Sequence, residues 1–249
     1  MSAPPPSSYV VVIPARFASS RFPGKALADL GGKSVLLRCV EQVRKAVPNE
    51  SILVATDDER IVAECEQHDV NWRLTSSSCL TGTDRVAEVA QQSDAEWFVN
   101  VQGDEPFLDP VGLRSLLTAV SHADASVGVI NAYSAISTET DFRSSTVPKV
   151  VVDQHSRLLY VSRGPIPTGK SLEFSSAKRQ IGLYAFRKNA LELFSGRTSK
   201  TPLEHIEDIE ILRFLELGVS VKMIEVESVG IAIDTPEDLA RARQYLANC

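Results

Sequence analysis

Three stretches of this chain hold residue types suited to handling phosphate. The first, Pro14-Ala-Arg-Phe-Ala-Ser-Ser-Arg-Phe-Pro-Gly-Lys25, offers the cations Arg16, Arg21 and Lys25 among small residues that let a backbone come close to a ligand. Its Pro23-Gly24 pair suits the centre of a type II turn, which would hold Lys25 in a defined place as a point charge for a triphosphate. The second, Val99-Asn-Val-Gln-Gly-Asp-Glu-Pro106, places Asp104 next to a glycine in a turn. Mg²⁺ prefers few carboxylates, several waters and substrate phosphates, so Asp104 is the leading metal ligand. The third, Ile231-Ala-Ile-Asp-Thr-Pro-Glu-Asp238, contributes Asp234, for which capping of the following helix is a competing role. Cations and Mg²⁺ around an attacked phosphorus describe phosphoryl or nucleotidyl transfer, driven by positioning and charge stabilisation. The four histidines (His68, His122, His155 and His205) suggest no Ser/His/Asp arrangement, so a covalent route lacks an evident nucleophile. The first loop is neither a Walker A motif nor G-x-G-x-x-G.

These residues need elements to aim them. Tyr9–Ile13, Ser51–Thr56 and Trp97–Val101 read as buried strands, and Trp72–Leu74 as a short one. Helical spacing is expected over Val35–Ala46, Asp58–His68, Thr83–Gln92 and Pro110–Ala123, the last with Asp109 as N-cap and Pro110 at its first position. Strands alternating with helices imply a parallel sheet covered on both faces, with ligands at the carboxyl ends of its strands. The phosphate loop and Asp104 follow two of those ends. Further on, Ala125–Ala132, Val150–Asp153, Leu158–Ser162 and Arg179–Arg187 look like strands with fewer helices between them, and Pro165–Ala177 like a long loop. This region, about 125–190, reads as an acceptor and dimerisation subdomain within one domain spanning 9–249. Helical pattern over Pro202–Leu217, a strand at Val221–Val226 and a last helix over Pro236–Ala247 complete the order.

The composition narrows the classes. The chain has 249 residues and a formal net charge of -6, with no basic block that would mark a nucleic-acid or anionic-membrane binder. Cys39, Cys65, Cys79 and Cys249 are scattered, without C-x-x-C spacing, as in a reduced cytoplasmic protein lacking a zinc signature. Residues 1–8 read as a disordered lead without signal-peptide character, and no apolar run approaches a membrane span.

Taken in order, the motifs resemble those of the 3-deoxy-manno-octulosonate cytidylyltransferase (CMP-Kdo synthetase) family. Besides the three stretches above, they include Ala55-Thr-Asp57, Thr81-Gly-Thr-Asp-Arg85, Ser162-Arg163, Ile181-Gly-Leu-Tyr-Ala-Phe-Arg187 and Pro202-Leu-Glu204. The resemblance runs from about residue 9 to residue 246. It implies an α/β nucleotide-diphospho-sugar-transferase-like (Rossmann-like) fold, a homodimer, and transfer of CMP from CTP to the anomeric hydroxyl of Kdo with release of pyrophosphate, as in lipopolysaccharide biosynthesis. It further implies that Pro14, Ala15, Arg16, Ser19, Arg21 and Lys25 surround the nucleotide with Thr81, Gly82, Thr83 and Arg85. Asp104 and Asp234 would hold Mg²⁺. Gln102, between the two substrates, Arg163, Tyr184 and Glu210 would line the acceptor, and the Arg163 guanidinium could grip a sugar carboxylate with two hydrogen bonds.

The chain departs from the family pattern at Gln180, where histidine is usual, and at Ile211, where glutamine is usual. Ala26 and Ala232 replace a common proline and a usual glycine. Gln180 and Ile211 fall in the implied acceptor pocket, so a relative of Kdo is an expected alternative substrate. Two other readings compete: a cytidylyltransferase for a phosphonate or sugar phosphate, and a non-catalytic nucleotide-binding scaffold.

Overall fold

The computed structural model describes residues 8–19, 21–197, 199–227 and 232–248. The lead over 1–7 and Cys249 lie outside them. Strands β1 (Tyr9–Pro14), β2 (Ile52–Thr56), β3 (Trp72–Leu74) and β4 (Trp97–Val101) form as the apolar runs require. Helices α1 (Val35–Arg44), α2 (Glu59–Gln67), α3 (Gly82–Gln91) and α4 (Pro110–Ser121) alternate with them. Each helix starts at a side-chain cap: Ser34, Asp58, Thr81 in a reciprocal box with Asp84, and Asp109.

Beyond α4 come β5 (Val127–Ile136), α5 (Glu139–Arg143), β6 (Lys149–Val152), β7 (Leu158–Ser162), β8 (Ala177–Arg187) and α6 (Lys188–Ser195). They are followed by α7 (Pro202–Glu207), α8 (Ile211–Glu216), β9 (Ser220–Glu225) and α9 (Pro236–Ala247). Among the described residues one nine-stranded sheet runs β3-β2-β1-β4-β8-β5-β9, with β6 joining β8 and β7 joining β6. The β1–β2, β2–β3, β1–β4 and β5–β9 pairs are parallel, and β8 runs antiparallel to β4 and β5. The seven-strand path is thus mostly parallel, β6 and β7 add antiparallel pairs to it, and β5 and β8, from the region read as a subdomain, lie within it.

Both faces are covered, which explains why the strands read as continuous apolar runs. Val11 and Ile13 of β1 join one core with Trp97, Val99 and helices α1 and α4, whereas Val12 joins the opposite core with Phe98 and α3, α6 and α8. A smaller cluster packs Leu239 and Ala242 of α9 against Leu30, Val35 and Ile233.

The structure differs from expectation in three places. Helix α6 was not legible because its N-terminal Arg187 makes no side-chain cap. Helix α5 is a single short segment begun by Thr138. The helix expected over Pro202–Leu217 is two helices, because Asp208 adopts a left-handed conformation (φ 51°, ψ 49°) that an α-helix cannot continue through.

Candidate active site

The carboxyl ends of β1 and β4 open into a cavity of about 380 Å³. On the β1 side, Phe22–Lys25 closes a type II turn: Lys25 N–H donates to Phe22 O at 3.2 Å, and Gly24 has φ 74° and ψ 10°. A side chain at Gly24 would be strained by that φ and would stand 3.0 Å from the Phe17 ring. The turn delivers Lys25 to the cavity, where Pro14, Ala15, Arg16, Ser19 and Arg21 also lie. Arg16 is exposed and has no hydrogen bond or ion pair among the described residues.

On the β4 side, Gly103 allows the chain to pass against β1; a Cβ there would sit 2.9 Å from Pro14 O. Asp104 follows at once. The far segment before α9 is tied to it by Ile233 N–H donating to Asp104 O at 2.9 Å, so Asp104 and Asp234, 130 positions apart, share one corner. Lys25 Nζ donates to Asp104 Oδ2 and, at 3.0 Å, to Asp234 Oδ1; Arg21 pairs with Asp234 Oδ1 at 2.9 Å. The cap of α9 is made by Thr235 with Asp238, leaving the Asp234 carboxylate for the cavity. Burial pulls the Lys25 ammonium down, but Asp104 and Asp234 outweigh it and hold its pKa above the usual lysine value. Neighbouring Glu105 is pushed up to about 7 by burial and the Asp104 charge, against the opposing Arg179. Among the described residues no group of three His, Cys, Asp or Glu side chains could cage a metal. Two half-open carboxylates, Asp104 and Asp234, beside Arg21 and Lys25 nevertheless suit Mg²⁺, which takes few carboxylates and completes its shell with water and substrate oxygens.

The opposite wall joins α3 to the α7–α8 break. Thr81 and Gly82 line the cavity, and Thr83 N–H donates to Glu210 Oε2 at 3.1 Å, so Glu210 caps a helix from a different element. Burial raises the Glu210 pKa. Arg85, 3% exposed, donates to Thr75 Oγ1 and to Asp57 Oδ2 at 3.0 Å. Behind the wall, Arg213 forms a two-pronged ion pair with fully buried Glu204, both contacts 2.6 Å, and reaches Asp84 Oδ1 at 3.6 Å.

The residues expected at the acceptor divide. Gln102 and Glu210 line the cavity. Tyr184 is not among the cavity-lining residues, and burial with the Glu210 and Glu105 charges pushes its phenol well above the usual range. Gln180 Nε2 donates to Asn131 Oδ1 at 3.1 Å. Two expectations need correction. Ile211 is 2% exposed, packs in the core with Leu212 and Phe214, and is not among the cavity-lining residues, because an apolar side chain at the start of α8 turns inward. The Arg163 guanidinium is committed to three backbone carbonyls: Glu207 O at 2.6 Å, Ser145 O at 2.9 Å and Asp208 O at 3.0 Å. It braces the α7–α8 break and is not among the cavity-lining residues. Lys200, Asp208 and Ile209 line the cavity without having been singled out, as does Glu204, which was quoted only as part of a motif. The left-handed Asp208 accounts for the place of Asp208 and Ile209 in the lining, whereas Lys200 lies just before α7 and Glu204 within it.

A mostly parallel α/β sheet with three cations and two carboxylates gathered at its carboxyl edge defines a nucleotidyltransferase. The model of the cytidylyltransferase family matches residues 10–224. The chain is 38% identical to the 3-deoxy-manno-octulosonate cytidylyltransferase of Syntrophotalea carbinolica over 96% of this chain and 98% of that protein, and 39% identical to that of Geobacter metallireducens, over 95% and 96%. It belongs to the 3-deoxy-manno-octulosonate cytidylyltransferase family. A solved structure of CMP:2-keto-3-deoxy-manno-octonic acid synthetase complexed with CTP superposes with a TM-score of 0.91 at 33% identity, covering 97% of this chain and 99% of that one. The fold alone is shared with a putative glucose-1-phosphate thymidylyltransferase from Bacillus anthracis (TM-score 0.69, 15% identity, 97% and 96% covered).

Proposed function

We propose that this cytidylyltransferase transfers CMP from CTP to the anomeric hydroxyl of Kdo or a closely related 3-deoxy-2-ulosonic acid, releasing pyrophosphate in a Mg²⁺-dependent reaction. The observation that carries the reading is the convergence of Lys25 with Asp104 and Asp234 beside Arg16 and Arg21. In this reading Arg16, Arg21 and Lys25 grip the triphosphate, and Lys25 exchanges carboxylate for phosphate contacts when CTP enters. Mg²⁺ held by Asp104 and Asp234 would neutralise charge on the phosphate oxygens. The Thr81–Arg85 segment flanks the nucleotide, and Gln102, Glu210 and Tyr184 orient the acceptor so that its hydroxyl meets the α-phosphorus in line. The rate comes from positioning and fixed charge, since no side chain is required as a nucleophile.

The test is pyrophosphate release from CTP and Mg²⁺ with a panel of 3-deoxy-2-ulosonic acids, beginning with Kdo. Kdo-dependent release is expected; release only with a sugar phosphate or phosphonate, or none at all, overturns the reading.

The same proposal includes a homodimer in the cytoplasm. Buried, unpaired Cys39 and Cys65 suit a reducing compartment, and no described helix is long and apolar enough to cross a membrane. Leu159 on β7 and Ile206 on α7, 58% and 75% exposed, are the apolar side chains that a second copy would cover. Sedimentation should give a dimer that Ile206→Glu shifts toward monomer; a wild-type monomer at micromolar concentration refutes this part.

A further inference from the structure

The acceptor proposed above is an acid, and the wall that would receive it is acidic as well. Asp208 and Glu210 face the cavity, and the Glu204 carboxylate behind them is neutralised by Arg213. A carboxylate approaching this wall needs a cation, and most candidates are committed. Arg21 and Lys25 sit at the phosphate corner on Asp234 and Asp104. Arg16 belongs to the same loop after β1. Arg85 is buried on Thr75 and Asp57. Arg163 has Nε, Nη1 and Nη2 all donating to backbone carbonyls.

Lys200 remains. It lines the same cavity as Ile209 and Glu210, and its side chain is 31% exposed. It is ion-paired with Asp208, whose own side chain is 70% exposed and which it holds below the usual carboxyl range. The lysine is well placed by the chain: it directly precedes Thr201, whose capping box with Glu204 fixes the start of α7, with Pro202 at the first helical position. An exposed partner such as Asp208 contributes little to a surface pair and is readily exchanged for an incoming carboxylate.

We propose that Lys200 is a specificity-determining residue that receives the carboxylate of the acceptor sugar, with Asp208 as its resting counter-ion. The proposal rests on the reading that the acceptor is a 3-deoxy-2-ulosonic acid. Lys200 acts as a single mobile point charge, where an arginine would impose a fixed two-pronged geometry.

The test is steady-state kinetics of pyrophosphate release with Kdo and CTP varied separately. Lys200→Met should raise the KM for Kdo about tenfold or more, as loss of a charge-assisted contact does, while the KM for CTP stays within about twofold. Lys200→Arg should recover most of the loss. Asp208→Asn, which keeps a residue tolerant of the left-handed backbone, separates ligand from strut. If Lys200 receives the substrate, removing its counter-ion leaves the KM for Kdo at or below the wild-type value. If Lys200 merely pins Asp208, Asp208→Asn raises that KM as Lys200→Met does, and the proposal fails. A Lys200→Met enzyme with an unchanged KM for Kdo also overturns it. Absence of Kdo-dependent turnover in the wild type would instead overturn the functional reading beneath it.

Discussion

At the scale of single residues, the site is a balance of charges around Lys25. Its ammonium is desolvated, yet two carboxylates keep it charged, so a cation stands in the cavity where the proposed reaction needs one for the triphosphate. Replacing it with an apolar side chain removes that charge from the corner and leaves Asp104 and Asp234 facing each other. Lys25→Met should therefore lower kcat for pyrophosphate release by about 10²–10³-fold, the size of effect seen when one preorganised donor is removed, with circular dichroism unchanged. A variant that keeps wild-type kcat at saturating CTP would show that Lys25 is a surface cation without a catalytic role. Arg163 carries the opposite lesson. Its residue type and its place after β7 fit a carboxylate ligand, but three carbonyls have taken its N–H groups.

Secondary-structure elements matter here chiefly where they stop. The break between α7 and α8 turns Asp208, Ile209 and Glu210 toward the cavity, and Glu210 then reaches across to the N-terminus of α3. The buried Arg213–Glu204 pair welds α8 to α7 behind this wall, with Asp84 of α3 as a third partner. Removing one member strands a charge with no access to water. Arg213→Met should cost about 3–5 kcal/mol of unfolding free energy. The double variant Arg213→Met/Glu204→Leu should recover a large part of it, because neither charge is then left alone. Urea unfolding of the four proteins checks this; additive losses would mean that the pair is not coupled. That the break occurs was not legible in the sequence, because Pro202–Leu217 carries helical spacing throughout and its interruption depends on Arg163, some forty positions earlier, donating to the Glu207 and Asp208 carbonyls.

For the whole molecule, the fold leaves Cys65 on α2 and Cys79 in the segment before α3 without disulfide partners among the described residues. Burial, with help from nearby carboxylates, pushes Cys65 and Cys79 up to about 12 from an ordinary value of 9.0. In the unfolded chain these thiols lose their protons first, so their contribution is fully present below about pH 9 and is lost as the pH rises toward 12. The urea midpoint should fall between pH 7.5 and pH 10.5, and Cys79→Ser, which does not titrate there, should fall less steeply. Equal slopes for the two proteins would remove Cys79 from the account.

Local pattern was sufficient for much of this protein. Continuous apolar runs marked β1, β2 and β4, helical spacing marked α1 to α4 and α9, with Asp109 as the cap of α4, and Pro23-Gly24 marked the turn that holds Lys25, because each of these depends on side chains within a few positions. The ordered motifs also named the family. Tertiary structure alone decided which distant groups meet: Asp234 reaches Asp104 through the Ile233 hydrogen bond, Asp208 breaks a helix, Ile211 turns into the core and Lys200 comes to line one cavity with Glu210. Such contacts depend on packing and on competition for backbone carbonyls between segments far apart in the chain, and no local periodicity records that competition.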